Sequence, residues 1–335
     1  MKIDIWTHIL SQAYIQRLEA AGQRGPGPAA FLLANRALYD LDVRFEVMSR
    51  YGDYRQVLTH VMPGSGPSLG LAGQEFADLV RRNNEEMAEL VRRHSDRFAG
   101  FAAATPLADP EAAAEEAVRA VRELGALGVQ LQEDVVEFPI HEDRYDPLFA
   151  AMEELGAAVW LHPFRTPATP GFPMETAPFL LWQVFGWTFD TTITVSRLIF
   201  AGVYDRHPRL KLIVHHGGGL IPHFSGRIEM MPLFTGLDPT LGEALERLHK
   251  KPIEYFKMLY VDTAMFGSQH GVECVVDFFG PDHVMFGTDT PFDTKGGAHF
   301  IPVTISDVEG AVRDDAARAA IFDGNARSVL GIRAG

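Results

Sequence analysis

Four short stretches end an apolar run in an imidazole or a carboxylate: Asp4 to His8 (DIWTH), Leu161-His162-Pro163 (LHP), His215 to Gly219 (HHGGG) and Phe286 to Asp289 (FGTD). Imidazole nitrogens and carboxylate oxygens are the usual ligands of a catalytic divalent metal, and they also do general acid–base work. The residues before each stretch (KIDIW, AAVWLH, LKLIVHH, HVMFGTD) read as buried strands. Polar groups at the carboxyl ends of strands are how an α/β barrel builds its site. The chemistry expected therefore depends on whether these four strand ends converge.

Each stretch also has a plainer reading. His162 precedes a proline that ends its strand, where a lone histidine commonly serves as a structural hydrogen bonder. In HHGGG, three glycines let the backbone approach a ligand and adopt positive φ, but a tight turn alone would use them too. Adjacent residues of a strand face opposite ways, so one histidine should look into the mouth. The reading takes His216 for the site and His215 for packing. Asp289, just past a buried strand, is costly without a role, although an N-cap to a following helix would give it one. In DIWTH, alternation puts Asp4, Trp6 and His8 on one face. Trp6 cannot ligate, which leaves His8, while Asp4 lies deep enough for a structural hydrogen bond. Asp262, at the end of YVD, suits the orientation of a histidine.

The elements that must position these groups alternate. Strand-like runs cover residues 2–6, 55–60, 98–104, 128–132, 157–162, 210–215, 258–264 and 283–287. Helical patterns cover 75–94, 110–124, 145–155 and 309–322. Alternation predicts a parallel sheet, and eight strands predict closure into a (β/α)8 barrel, the α/β class, as one domain over residues 1–335. An open doubly wound sheet is the alternative, but no glycine-rich phosphate loop follows the first strand. Residues 9–54 and 164–186 exceed a simple connection. They come after strands 1 and 5, and are candidate lids whose Phe, Trp and Leu content suits an aromatic ligand, or equally a cover for the core or a subunit contact.

Bulk properties narrow the class. A formal charge of −14 over 335 residues argues against a nucleic-acid surface or an acidic membrane face. Cys274 is the single cysteine, so no intrachain disulfide forms, and a packing role is expected for it. No apolar run approaches the ~20 residues of a membrane span, and the first residues enter a strand rather than a signal peptide. A soluble, cytoplasmic protein is expected.

In this order the stretches resemble the amidohydrolase superfamily, in the branch of aminocarboxymuconate-semialdehyde decarboxylase and related aromatic-acid decarboxylases. The resemblance extends to RFEVM at 44–48, Asn83-Asn84-Glu85, RHPRLKLIVHHGGG, GTDTPFD and the closing GNARSVL. It implies a barrel with one divalent metal, Zn2+ by default in the branch and Mn2+ among the aromatic-acid decarboxylases. The ligands carried over are His8, His162 and Asp289. His216 matches the position that acts on the metal-bound water or the substrate. Arg227 matches an arginine that reaches the substrate carboxylate, in some relatives from the neighbouring subunit, so a homodimer or higher homo-oligomer is expected. Trp6 departs from the pattern, standing where the first ligand belongs.

The expected activity is non-oxidative decarboxylation of an aromatic or unsaturated hydroxy or oxo acid. Asp289 or His216 would deliver the proton, and Trp6 would offer a face to a planar substrate. The alternatives are a hydrolase or hydratase of the same superfamily, with His216 as base, and a catalytically silent ligand-binding barrel.

Overall fold

The computed structural model describes residues 1–20, 28–61, 69–132, 139–163, 179–293 and 295–333. Seven strands pair in sequence order, each parallel to the next: β1 (Lys2–Ile9), β2 (Tyr54–His60), β3 (Phe98–Ala104), β4 (Gly128–Gln132), β5 (Ala158–His162), β6 (Lys211–Val214) and β7 (Tyr260–Val261). Residues 284–290 fill the eighth position. The Met285 amide donates to Val261 (2.8 Å) and the Ile5 amide to Phe286 (2.9 Å). The Asp289 amide then donates to Trp6 (3.1 Å), and the His8 amide to Thr290 (2.7 Å). The barrel is closed, as expected. Its eighth strand is a set of bridges rather than a continuous strand, because Asp289 has a φ of 61°.

Local signals explain the crossovers. Asp109 caps the helix Pro110–Leu124 by accepting from the Glu111 and Ala112 amides, and left-handed Gly125 ends it. The helix Gly73–Arg93 buries Phe76, Leu79, Val80 and Met87 along one face. It also buries Asn84, whose amide bridges both backbone groups of Ala104 (2.9 and 3.0 Å) and reaches Glu116 (2.8 Å). That asparagine pins the end of β3. The helix expected over 309–322 is in fact two. The helix Phe300–Ala311 stops at Val312, and Asp314, accepting from the Ala317 amide, caps a new helix Asp315–Ala319. Apolar periodicity runs through both and hides the break.

The long connection after β1 folds as the helices Gln12–Ala20, Pro28–Ala34 and Leu41–Met48. It has its own apolar cluster, in which Leu10, Tyr14, Leu18 and Leu38 pack with Phe76 and Leu79. It reaches the rim through Asn35, whose side-chain amide donates to Pro291 (2.8 Å). Of the second candidate lid, residues 164–178 lie outside the described residues. Beyond them the chain forms a short helix, Leu181–Val184, and a longer one, Gly186–Phe200. Among the described residues no helix is long and apolar enough to cross a membrane.

The seam between β1 and residues 284–290 is fastened by Asp4. Its carboxylate accepts from the Tyr54 hydroxyl (2.6 Å), the Thr288 hydroxyl (2.6 Å), the Thr288 amide (3.0 Å) and the Trp6 amide (3.2 Å). Burial raises its pKa to about 7 against those four donors. Replacing Asp4 with Ala leaves buried donors without acceptors. Asp4→Ala should therefore lose about 3–5 kcal/mol in denaturant unfolding, a loss that a substitution at an exposed strand end would not give.

Candidate active site

The four strand ends do meet. Nε2 of His8 lies 3.0 Å from Oδ1 of Asp289, and Nε2 of His215 lies 3.4 Å from the same oxygen. The His162 ring centroid is 5.1 Å from that of His8 and 5.3 Å from that of His215. One donor atom from each of His8, His162 and His215 falls within 4.8 Å of the others, and the same holds for His215, His216 and Asp289. All five side chains are buried, and only His162, His216 and Asp289 keep a sliver of exposure, at the mouth.

Geometry overturns the choice between the two adjacent histidines. His215 is fully buried and points into the cluster, with its Nδ1 bound to Oδ2 of Asp262. The second Asp262 oxygen takes the Gly217 and Ala264 amides, each at 3.0 Å. Strand alternation fails because β6 ends at Val214. His216 adopts a left-handed φ of 54° and Gly217 one of 62°, so the two imidazoles stack 3.8 Å apart instead of pointing to opposite sides. His216 stays at the site, with Nε2 3.8 Å from Oδ2 of Asp289. Asp262 orients a histidine, as its place in the sequence suggests.

Electrostatics follow the packing. Burial pushes the His8 and His162 imidazoles down, and neighbouring imidazoles push His162 further. For His215 burial acts downward too. The Asp262 charge and hydrogen bond outweigh it, with help from Asp289, and bring the group to about 9. Burial would raise Asp289, but the imidazoles of His215, His216 and His8 facing it hold it well below the usual carboxylate range.

Trp6 does not wall a substrate. Its indole is fully buried and lies flat on His215, centroids 4.0 Å apart and planes 17° apart. Space for it comes from Gly287, where a Cβ would sit 2.9 Å from Asp262 and 3.2 Å from the indole. The aromatic wall is elsewhere. Trp187 stands 5.9 Å from His162 and 6.2 Å from His216 by ring centroids. Phe292 is 5.0 Å from His8, and Phe266 is 5.8 Å from His216. Sequence reasoning singled out none of the three. The PF of GTDTPFD was the available signal for Phe292, while Trp187 lies one residue beyond the expected lid. Arg227 is exposed on the short helix Ser225–Met230, and His223 is also exposed.

The amidohydrolase family model matches residues 3–332. The chain belongs to the amidohydrolase family. It is 32% identical over 282 residues to a gamma-resorcylate decarboxylase of Rhodococcus jostii, covering 80% of this chain and 82% of the relative. It is 28% identical over 309 residues to a 2-amino-3-carboxymuconate-6-semialdehyde decarboxylase of Dictyostelium discoideum, covering 87% and 82% of the two chains. Among solved structures it resembles a 5-carboxyvanillate decarboxylase of Novosphingobium aromaticivorans with bound manganese and 3-methoxy-4-hydroxy-5-nitrobenzoic acid. The TM-score is 0.84 at 24% identity, over 99% of this chain and 97% of that one. A dihydroxybenzoic acid decarboxylase from a Polaromonas species, with manganese and 2-nitroresorcinol, gives 0.79 at 24% identity, over 99% and 98%. The family and barrel expected from LHP, HHGGG and GTDTPFD are borne out, and the expected carboxy-lyase agrees with these relatives.

Asp262 neutralises a buried imidazole and holds two main-chain amides of the turn and that of Ala264. Removing one partner of a buried ion pair strands the other. Asp262→Ala should cost about 3–5 kcal/mol in urea unfolding of metal-free protein. A loss under ~1 kcal/mol would show that His215 stays neutral in the folded chain.

Proposed function

We propose that this chain is a metal-dependent, non-oxidative decarboxylase acting on a hydroxylated aromatic acid. The observation that carries the reading is the donor set. Nε2 of His8, Nε2 of His215 and Oδ1 of Asp289 are buried, make no hydrogen bond of sound geometry and face one point. Leaving three such atoms unpaired is costly, and a cation would satisfy all three. The residues fit a divalent ion. His8, His162 and Asp289, the set carried over from the family pattern, would hold it, with Nε2 of His215 facing the same point, and when bound it would supply positive charge to draw in the substrate's carboxylate and stabilise the negative charge that develops. A set rich in imidazole suits Zn2+, and manganese is the ion in the two structural neighbours named above.

The protein groups do the rest. Trp187, Phe266 and Phe292 give a planar ring apolar faces, and burial keeps water from the reacting carbon. As the carbon–carboxylate bond breaks, its electron pair stays on the ring carbon and CO2 departs. A proton passed in from solvent through Nε2 of His216 or Oδ2 of Asp289, 3.8 Å apart, then completes the product. Arg227 forms no ion pair with a described residue and faces outward. That suits a carboxylate contact made across a homodimer interface.

The test is incubation of metal-loaded protein with a panel of hydroxybenzoates, following CO2 and phenol, beside esters and lactones. Phenol formation is expected, whereas hydrolysis alone would overturn the reading. Asp289→Ala should lower kcat/KM by ~1000-fold or more, removing both a ligand and a proton carrier. Trp187→Ala should mainly raise KM, by roughly 10-fold, a loss of ~1.4 kcal/mol of ring contact.

A further inference from the structure

Trp6 occupies the position from which the chain would otherwise offer another nitrogen, so the three residues carried over from the family pattern leave the set one short. The histidines of the cluster differ in what their two ring nitrogens do. His8 has Nδ1 against the Thr59 hydroxyl (3.2 Å) and Nε2 without a hydrogen bond. His162 has Nδ1 on the Pro163 carbonyl (2.6 Å), so its Nε2 is the nitrogen left for the centre. His215 has Nδ1 on Asp262 and, like His8, an Nε2 without a hydrogen bond. His216 differs, because its Nδ1 is the buried nitrogen without a partner while its Nε2 stands 3.8 Å from Asp289.

Metal-binding histidines characteristically have one ring nitrogen tied to a protein acceptor, which fixes the tautomer and aims the other nitrogen. Three histidines here meet that description and His216 does not. These three are also the ones whose donor atoms lie within 4.8 Å of one another. The carboxylate behind His215 makes it the most electron-rich of the three, in the manner of carboxylate–histidine–metal triads. Trp6, flat against the same ring at 4.0 Å, holds it in that aim.

We infer that His215 is a metal ligand in this chain, supplying from the end of β6 the nitrogen that Trp6 withholds from β1. The centre is then His8, His162, His215 and Asp289, and His216 is left free to carry a proton. This rests on the proposed metal-dependent reading and specifies its ligand set.

The test uses Co2+ alone, added to the full-length, metal-free protein. Proton NMR of the cobalt form counts ligating imidazoles through their shifted N–H signals, and chelator competition gives the affinity. Three such signals are expected in the unaltered protein, where no variant need fold. His215→Ala should leave two and weaken binding by ~100-fold or more, and Asp262→Asn should weaken it by ~10-fold. His216→Ala should keep three signals. Trp6→His placed in the His215→Ala background should restore the third signal and recover at least ~10-fold in affinity, which a merely structural role for His215 would not produce. Two signals in the unaltered protein, or His215→Ala binding within about threefold of it, would overturn the inference while leaving a metal enzyme standing. A folded protein that takes up no divalent ion would overturn the metal-dependent reading and this inference with it.

Discussion

The site exists because the barrel closes. Asp4 and Thr288 stand 284 positions apart in sequence, and their hydrogen bonds bring the first and last strand positions side by side. Further along both segments, the Asp289 amide bonds to Trp6 and the His8 amide to Thr290, and His8 and Asp289 stand 3.0 Å apart. β1 carries a register shift between Asp4 and Thr7, and such a bulge re-aims the end of a strand. Arg44, buried beneath the rim, donates to the His8 carbonyl (2.7 Å) and to Gln56 (2.7 Å), whose amide reaches Tyr54 and through it Asp4. The clasp of the barrel and the placement of its first imidazole are one hydrogen-bonded chain.

Closure also concentrates charge in a place with little solvent. Four imidazoles and a carboxylate with scarcely any exposure cannot all hold their ordinary protonation states, and each neighbour decides the state of the next. Asp262 resolves part of the conflict by favouring a cation on His215, and Asp289 answers the same cation from the other side. The aromatic rings around the mouth lower the local dielectric further. A protein that only needed to be stable would replace such a cluster with apolar residues. Such a cluster in the core points to chemistry rather than to folding.

Much of this was legible because strand ends carry a strong signal. Apolar β-branched runs followed by His162, HHGGG or FGTD show both where a strand stops and which group is left at the mouth. The deep position of Asp4 within its strand indicated a structural role, and its four hydrogen bonds bear that out. Alternation failed at His215 and His216 because it assumes extended backbone, and the chain turns left-handed at His216. The broken helix near Val312 escaped because apolar spacing does not register a cap. Trp187 was missed for a related reason. Its importance comes from the turn that carries Gly186–Phe200 over His162, and nothing local in the sequence encodes that approach.

Gly287 has no side chain to contribute to chemistry, yet it sets a steric limit on the whole centre. The indole of Trp6 and the side chain of Asp262 both crowd the volume that a methyl group at 287 would need. Adding that methyl would displace one of them, and either displacement would swing the imidazole of His215. The direction in which the buried Nε2 of His215 points therefore depends on there being no side chain at 287.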